Sequence, residues 1–521
     1  MVYYLLQAVF IPLLLSPLAY YITKKGGVTA GTWFTFGIML YSTIMILLPS
    51  LNGYYYEKYN WSQLGEFGLL LDGLSIPFAI IIYLLSTVLV LYSKPYMIHK
   101  IEEEYHEEQK SIQATPLKIV SNIPTHVMNH QMGIYYALYM VFAMGMLTTV
   151  LATNLIEFYV FFEVMLIPSF FLVAFYGYGA RRRISLMYLF WTHVGAVILL
   201  LGLITMGLSA GSFDMQNIKE SNISVELLPF IAVAIIVGLL VKLAIVPFHI
   251  WLPYAHAEAP TPISALLSPA MIGIGGYALM RLLLTLLPST YESTSLWLSI
   301  GAMVTMIYGG AMALMQSDVK RMLAYSSISQ MGYMLFGFAS ISVIGLTGSV
   351  LLYVSHGTGK ALLFMMAGML IMQAHTRSFP KLGGLAGKLP MTAVCSVIGA
   401  LAIMGIPPTN GFMSEWMLFV GALNTAIDEG STAKIVIFAL AMIATAITAS
   451  YLLWSIKRIF YGRVNEGLEH AKDGSYYMLA PMFFLAILTI IIGIYPEMLT
   501  QIIIPYMQNV LGEGVIEVLN K

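Results

Sequence analysis

The sequence predicts an all-α, polytopic membrane protein with about 14 transmembrane helices. Three observations predict it. Of 521 residues, 59% are hydrophobic and 10% charged, against roughly 25% charged in ordinary soluble domains, and the mean hydropathy is +0.83. The apolar residues fall in windows long enough for a helix of about 20 residues and too long for membrane β-strands. Lys and Arg gather in alternate connections between those windows.

Taken in order, the windows place spans 1–14 at 2–23, 28–51, 69–93, 132–151, 153–176, 184–208, 227–252, 262–284, 294–315, 322–341, 345–372, 391–419, 433–456 and 476–503. Span 1 is apolar from Met1 and lacks a basic leader and a small-residue cleavage site, so it reads as a retained span. The connections after odd-numbered spans hold Lys24, Lys25, Lys94, Lys100, Lys110, Lys118, Arg181, Arg182, Arg183, Lys320, Arg321, Arg377, Lys381, Lys388, Lys457, Arg458, Arg463 and Lys472, 18 of the 25 basic residues. The opposite side holds Lys58, Lys219, Lys434 and Lys521, and Lys242, Arg281 and Lys360 lie within spans. A miscounted span would swap sides midway and destroy this asymmetry. The basic connections therefore read as cytoplasmic and both termini as outside, in a multi-pass protein of the cell membrane.

Lys+Arg and Asp+Glu are both 25, so no net field points to nucleic acid. The single cysteine, Cys395, excludes a disulfide framework and a cysteine-built zinc or iron–sulfur site from this chain alone. It reads as a small buried apolar residue. No metal-ligand spacing, phosphate-binding loop or catalytic triad is visible, which predicts no metal and no cofactor in this chain. Residues 94–131 carry Glu102, Glu103, Glu104, Glu107 and Glu108 among lysines and histidines. They read as a solvated helix or flexible segment, or as a docking surface for a soluble partner.

Two spans are interrupted. Span 7 reads GLLVKLAIVPFHIWLP, where Pro247 removes a backbone donor. Span 12 reads ALAIMGIPPTNGFMSEWMLF, where Pro407, Pro408 and Gly411 break it more severely. In lipid the freed backbone groups need partners, so broken helices persist only inside protein or beside a wet cavity. The two breaks lie five spans apart. A five-span unit has an odd number of crossings, so a second copy following it is inverted. This predicts an N-terminal region (1–131), one five-helix repeat of spans 4–8 (132–284), a second, inverted repeat of spans 9–13 (285–460), and a C-terminal loop with span 14 (461–521). Two unrelated proline kinks are the other reading of the same feature.

The informative residues are ionisable groups near the middle of spans, each costing roughly 2.5–3.5 kcal/mol to insert. They are Glu163 in span 5, Lys242 in span 7, Lys360 in span 11 and Glu415 in span 12, with His193 and His356 in spans 6 and 11. His356 and Lys360 are four apart and share a helix face. Glu157 and Glu163 are six apart, about 240° around a helix, so they do not form a paired-carboxylate site. A buried lysine is pushed toward neutral by desolvation and back toward charged by a nearby carboxylate. Groups of this kind, bridged by Ser326, Ser327, Ser329, Gln330 and Tyr333 of span 10, form a proton relay. The alternative is a static Glu163–Lys242 ion pair pinning two helices. His249 and His256, near the cytoplasmic end of span 7, suit loop bracing or proton entry. His193 alone suits a hydrogen-bonded core histidine, and Arg281 a snorkelling cation near the outer end of span 8. The glycines of GIGGY in span 8 suit close helix packing.

Several stretches resemble one family. KLAIVPFHIWLPYAHAEAPTPISALLS (242–268), DVKRMLAYSSISQMGY (318–333), NLIEFYVFFEVMLIP (154–168), LLDGLSIP (70–77) and HGTGKALLF (356–364) resemble the antiporter-like, proton-pumping membrane subunits of respiratory complex I. The same family includes relatives in multisubunit cation/proton antiporters and ion-pumping membrane-bound hydrogenases. The resemblance covers spans 3–13. It implies that Glu163 is the span 5 glutamate that modulates Lys242, and that Glu415 is the span 12 glutamate typical of chain M. Two positions depart from that chain: Gly273 stands where span 8 commonly carries lysine, and Gln330 where histidine is often found. Lys360, four after His356, matches instead the central lysine that chain L carries in span 11.

The resemblance implies a proton-translocating subunit of a quinone oxidoreductase, embedded in lipid among other membrane-arm subunits, with the redox chemistry elsewhere. The alternative within the family is a subunit of a cation/proton antiporter or an ion-pumping hydrogenase. A membrane scaffold whose charges only pin helices is the alternative outside it.

Overall fold

The computed structural model describes residues 3–61, 65–112 and 123–512. Ten of its helices are long and apolar enough to cross a membrane. The longest, Tyr4–Ser50, holds spans 1 and 2. Gly27 separates them at φ 87°, a conformation that only glycine adopts freely. Spans 3 to 6 are Ser75–Ile112, Thr125–Leu151, the pair Leu155–Val164 and Leu166–Tyr176, and Arg181–Ala210. Spans 9, 10, 11 and 13 are Pro288–Leu314, Val319–Ala339, Val343–Ala374 and Thr432–Phe460. Span 14, Tyr476–Ile494, continues after Pro496 as Glu497–Leu511.

The core lies around spans 8 and 11, whose most apolar windows are entirely buried, whereas about a third of span 13 is. Span 8 is irregular, alternating helical turns with π-helical turns at Leu267–Met271 and Met280–Leu284. Its glycines do pack closely: a Cβ on Gly276 would lie 2.8 Å from Met334 Sδ and from Phe338.

The structure corrects the sequence reading at one end of the bundle. Tyr55–Asn60 and Glu66–Leu71 form an antiparallel hairpin, with Tyr55 opposite Leu71 and Asn60 opposite Glu66. The apolar run that suggests span 3 begins at 69 thus starts in a strand, and the helix starts at Ser75. Asp72 marks the change. Its Oδ1 accepts the backbone N–H of Leu74 (3.1 Å) and Ser75 (2.9 Å), capping the first turn. Glu57 of the hairpin caps span 1 from outside, accepting the N–H groups of Leu5 (3.0 Å) and Leu6 (2.9 Å).

Span 3 also runs far past the expected 93, to Ile112. Glu102, Glu103, Glu104 and Glu107 thus lie on a helical extension; the side chains of Glu108 and Lys110, and all of residues 113–122 including Lys118, lie outside the described residues. Lys100 and Lys320 are not loop charges but buried side chains.

Candidate functional site

The two breaks share one backbone design. In span 7, Leu228–Lys242 stops and Trp251–Glu258 resumes. In span 12, Pro390–Ile403 stops and Asn410–Asp428 resumes. Ala244 has φ 53° and Gly405 has φ 64°. Ala244 N–H donates to Val241 and Ile245 N–H to Leu240, just as Gly405 N–H donates to Ala402 and Ile406 N–H to Leu401. Further markers recur in the same order. Asn154 caps span 5 and pairs with Asp214, and Asp318 caps span 10 and pairs with Ser378. The first pair lies at the hairpin end and the second at the end rich in basic connections.

Freed carbonyls at the breaks find donors. Trp251 Nε1 donates to Val241 O (2.9 Å), and Gln330 Nε2 donates to Ile403 O (3.2 Å). Val246 N–H donates to Thr305 Oγ1 (3.1 Å). These cross-links hold each break open inside protein.

Lys242 ends the first half of span 7 and is 3% exposed. Its Nζ lies 4.8 Å from the centre of the Phe162 ring, and no carboxylate comes within 4.0 Å of it among the described residues. The carboxylate of Glu163 instead meets His193 Nδ1 at 2.8 Å, and its Oε1 has no partner. A static Glu163–Lys242 pair is therefore absent, and Glu163 acts on Lys242 only across a gap. His193 is hydrogen-bonded, but it is not a core residue: half of its side chain is exposed on the flank of the bundle.

Lys360 is fully buried. Its Nζ donates to Ser326 Oγ, and to Leu323 O at 3.3 Å. His356, one turn earlier, and His256, at the far end of span 7, are both fully buried with both ring nitrogens unpartnered. Such nitrogens are costly in a dry interior. His249 is braced by Tyr308, Nε2 to Oη 3.3 Å.

Glu415 folds back onto the span 12 break. A Cβ at Gly405 would lie 2.6 Å from Glu415 Oε2, while Oε1 has no partner. The Gln330 side chain lies against it. Ser326 and Gln330 thus line the way between Lys360 and Glu415. Ser327 and Ser329 do not: they bond Ser268 (2.6 Å) and Met306 O (2.9 Å).

Sequence reasoning missed two groups on this stretch. Tyr451 is buried with an unpartnered hydroxyl, and Thr448 bonds Tyr333 at 3.1 Å. Both come from span 13, where AITASYLLW looks like ordinary lipid-span sequence. Tyrosine is common at such positions for packing, and only the fold shows that this one faces the acid.

Arg281 does not snorkel. It is buried and paired with Asp72 at 2.8 Å, with Tyr277 and Tyr506 hydroxyls accepting at 3.0 Å each. The cap of span 3 supplies the anion that a snorkelling arginine would otherwise seek in the headgroups. Glu157 accepts Gly68 N–H (3.2 Å) at the hairpin end and does not join Glu163. Cys395 is buried and free. No group of three or more His, Cys, Asp or Glu that could hold a metal occurs among the described residues.

Residues 152–448, more than half of the chain and the region holding both breaks, match the family described as NADH:quinone oxidoreductase/Mrp antiporter, TM. The chain belongs to that family. F(420)H(2) dehydrogenase subunit M of Methanosarcina mazei is 29% identical over 509 residues, 94% of each chain. NADH-quinone oxidoreductase subunit M of Rickettsia prowazekii is 30% identical over 479 residues, 90% of each. The fold is also similar to a chain of respiratory complex I from Thermus thermophilus with bound NADH, with TM-score 0.80 and 22% identity over 96% of this chain and 99% of that one. A chain of the Mrp complex from Dietzia superposes with TM-score 0.79 at 20% identity, covering 98% and 100%. The antiporter-like fold is thus common to redox complexes and antiporters, and the chain is a complex I-type antiporter-like membrane subunit.

Proposed function

We propose that this chain translocates protons as a membrane-arm subunit of a complex I-type oxidoreductase. The observation that carries the reading is the set of buried ionisable side chains, Lys242, His256, His356, Lys360 and Glu415, on the two broken helices and the buried span 11. Both histidines and Glu415 Oε1 keep unpartnered atoms, and none of the five side chains is in an ion pair within 4.0 Å among the described residues. Relatives named as dehydrogenase and oxidoreductase subunits M support the redox-driven assignment over an antiporter.

In this reading the connections rich in Lys and Arg face the cytoplasm, both termini lie outside, and other membrane-arm subunits flank the chain in the plasma membrane. Spans 4–8 and 9–13 form the two half-channels. The chain supplies no redox centre or cofactor, so the driving reaction occurs in its partners.

A proton binds neutral Lys242 or Lys360 as an ammonium and leaves to the next vacant acceptor. Lys360 hands it to Ser326 and ordered water, and Glu415 receives it. Glu163, held by His193, sets the field at Lys242. Because the charges stand in low dielectric, moving one raises the cost of the next, which couples the steps electrostatically.

The test uses inverted membrane vesicles that hold the intact complex, energised with the donor that wild-type vesicles oxidise. Lys360→Met and Glu415→Gln, in assembled complexes, abolish or strongly reduce acidification. Normal acidification by both sinks the proposal. Acidification that follows imposed sodium gradients without donor oxidation favours an antiporter.

A further inference from the structure

The relay just described begins at buried side chains, and Lys320, fully buried at the start of span 10, has no role in it. Its surroundings deny it an anion. Arg377 takes both nearby carboxylates, Asp318 at 2.6 Å and Glu258 at 3.6 Å. Glu104 is taken by Lys100 (3.0 Å) and by Arg181 (2.5 Å). Lys320 Nζ is left donating to the carbonyl of Ala259, which Ser264 Oγ also approaches at 3.4 Å. A buried amine held by one carbonyl, with its neighbouring carboxylates already paired to other cations, has no ion-pair partner of its own among the described residues.

It also stands in the right place. Its Nζ lies 5.5 Å from the centre of the Tyr178 ring, which Lys100 approaches at 3.8 Å and Arg377 at 5.9 Å. Tyr178 lines a cavity of about 660 Å³ whose other walls include Glu103, Glu104 and Glu107 on the extension of span 3. That cavity opens at the end rich in basic connections. On the inner side, the His256 ring packs 5.8 Å from the Phe364 ring, one turn beyond Lys360, Ser264 Oγ reaches both the His256 carbonyl (3.1 Å) and the Ala259 carbonyl that holds Lys320 (3.4 Å), and neither ring nitrogen of His256 has a hydrogen-bond partner. Lys360 in turn bonds Leu323 O, one turn along the helix from Lys320.

We propose that Lys320 is the loading residue of this chain, taking protons from the glutamate-lined cavity and passing them by way of His256 to Lys360. The neutral amine takes a proton from a hydronium ion in the cavity, leaving water, and the ammonium then releases it to the ring nitrogen of His256 that carries no hydrogen. The imidazolium so formed yields a proton to neutral Lys360, and each carrier returns to its starting form. The inference rests on the proposed proton translocation and adds its point of entry.

The competing role is a tie, in which Lys320 simply holds the Ala259 carbonyl. Arginine separates the two, because it keeps the charge and the donor but does not deprotonate in proteins. In the same vesicles, the loading role predicts that Lys320→Arg lowers initial acidification per donor oxidised to the level of Lys360→Met. Wild-type acidification by Lys320→Arg, with Lys360→Met impaired, overturns the entry and leaves the relay standing. Wild-type acidification by both Lys360→Met and Glu415→Gln overturns both. If Lys320→Arg does not assemble, the double variant Glu103→Gln, Glu107→Gln decides. These side chains lie on the cavity wall away from the core. A several-fold slower proton uptake supports the entry, and an unchanged rate overturns it.

Discussion

His193 Nδ1 lies 2.8 Å from Glu163 Oε2, and this contact occupies the carboxylate that Lys242 would otherwise claim. The imidazole and the ammonium compete for one anion. Replacing His193 with Leu removes the group that holds the Glu163 carboxylate in place. His193→Leu is thus expected to slow acidification several-fold, with assembly retained. Dye-quench rates in vesicles, measured against native-gel amounts of complex, check this. An unchanged rate would show that Glu163 does not act through Lys242.

Gly405 is the position where the backbone of span 12 and its acid touch. A side chain there meets a left-handed φ, costing about 1–2 kcal/mol, and a Cβ 2.6 Å from Glu415 Oε2. Gly405→Ala is expected to displace the carboxylate and reduce acidification although Glu415 itself is retained. Ala244→Gly, at the matching break, relaxes a strained residue and is expected to leave acidification intact while raising thermal stability modestly. The pair is read by comparing acidification with the midpoint of thermal inactivation.

Asp72 and Arg281 are a buried pair, and breaking one partner of such a pair costs about 3–5 kcal/mol. Asp72→Asn is expected to lower the amount of assembled complex sharply. Asp72→Asn with Arg281→Met, which removes both charges, is expected to recover part of it. Native-gel quantification in membranes tests the order of the two.

Glu57 caps span 1 from the hairpin. Glu57→Ala leaves the N–H groups of Leu5 and Leu6 without this acceptor, a loss of about 1–2 kcal/mol. Faster amide hydrogen exchange in the first turn of span 1, with exchange in span 11 unchanged, is the expected outcome.

Much of this architecture is legible in the sequence because the bilayer enforces it. The length of apolar runs and the side occupied by Lys and Arg locate spans without any tertiary information. Pro247 and Pro407-Pro408 announce the breaks because an uncapped carbonyl in lipid is too costly to leave to chance. The hairpin was not legible: LLL at 69–71 has the composition of a span, and only its pairing with Tyr55–Glu57 makes it a strand. Pairing partners of ions were equally hidden. Nothing in spacing says that Glu163 meets His193, that Asp72 meets Arg281 across 209 residues, or that Arg377 strips Lys320 of its counter-ions. Those depend on which helices pack together, which periodicity does not encode.

Arg281 also has a temporal consequence. Its guanidinium is satisfied by Asp72 and, through a 3.0 Å bond, by Tyr506, so the cluster spans nearly the whole length of translation. A ribosome that has made residue 281 has produced a cation whose final shell is completed only some 225 residues later. A chain that ends before Tyr506 therefore leaves this guanidinium without one of the acceptors that its finished shell provides.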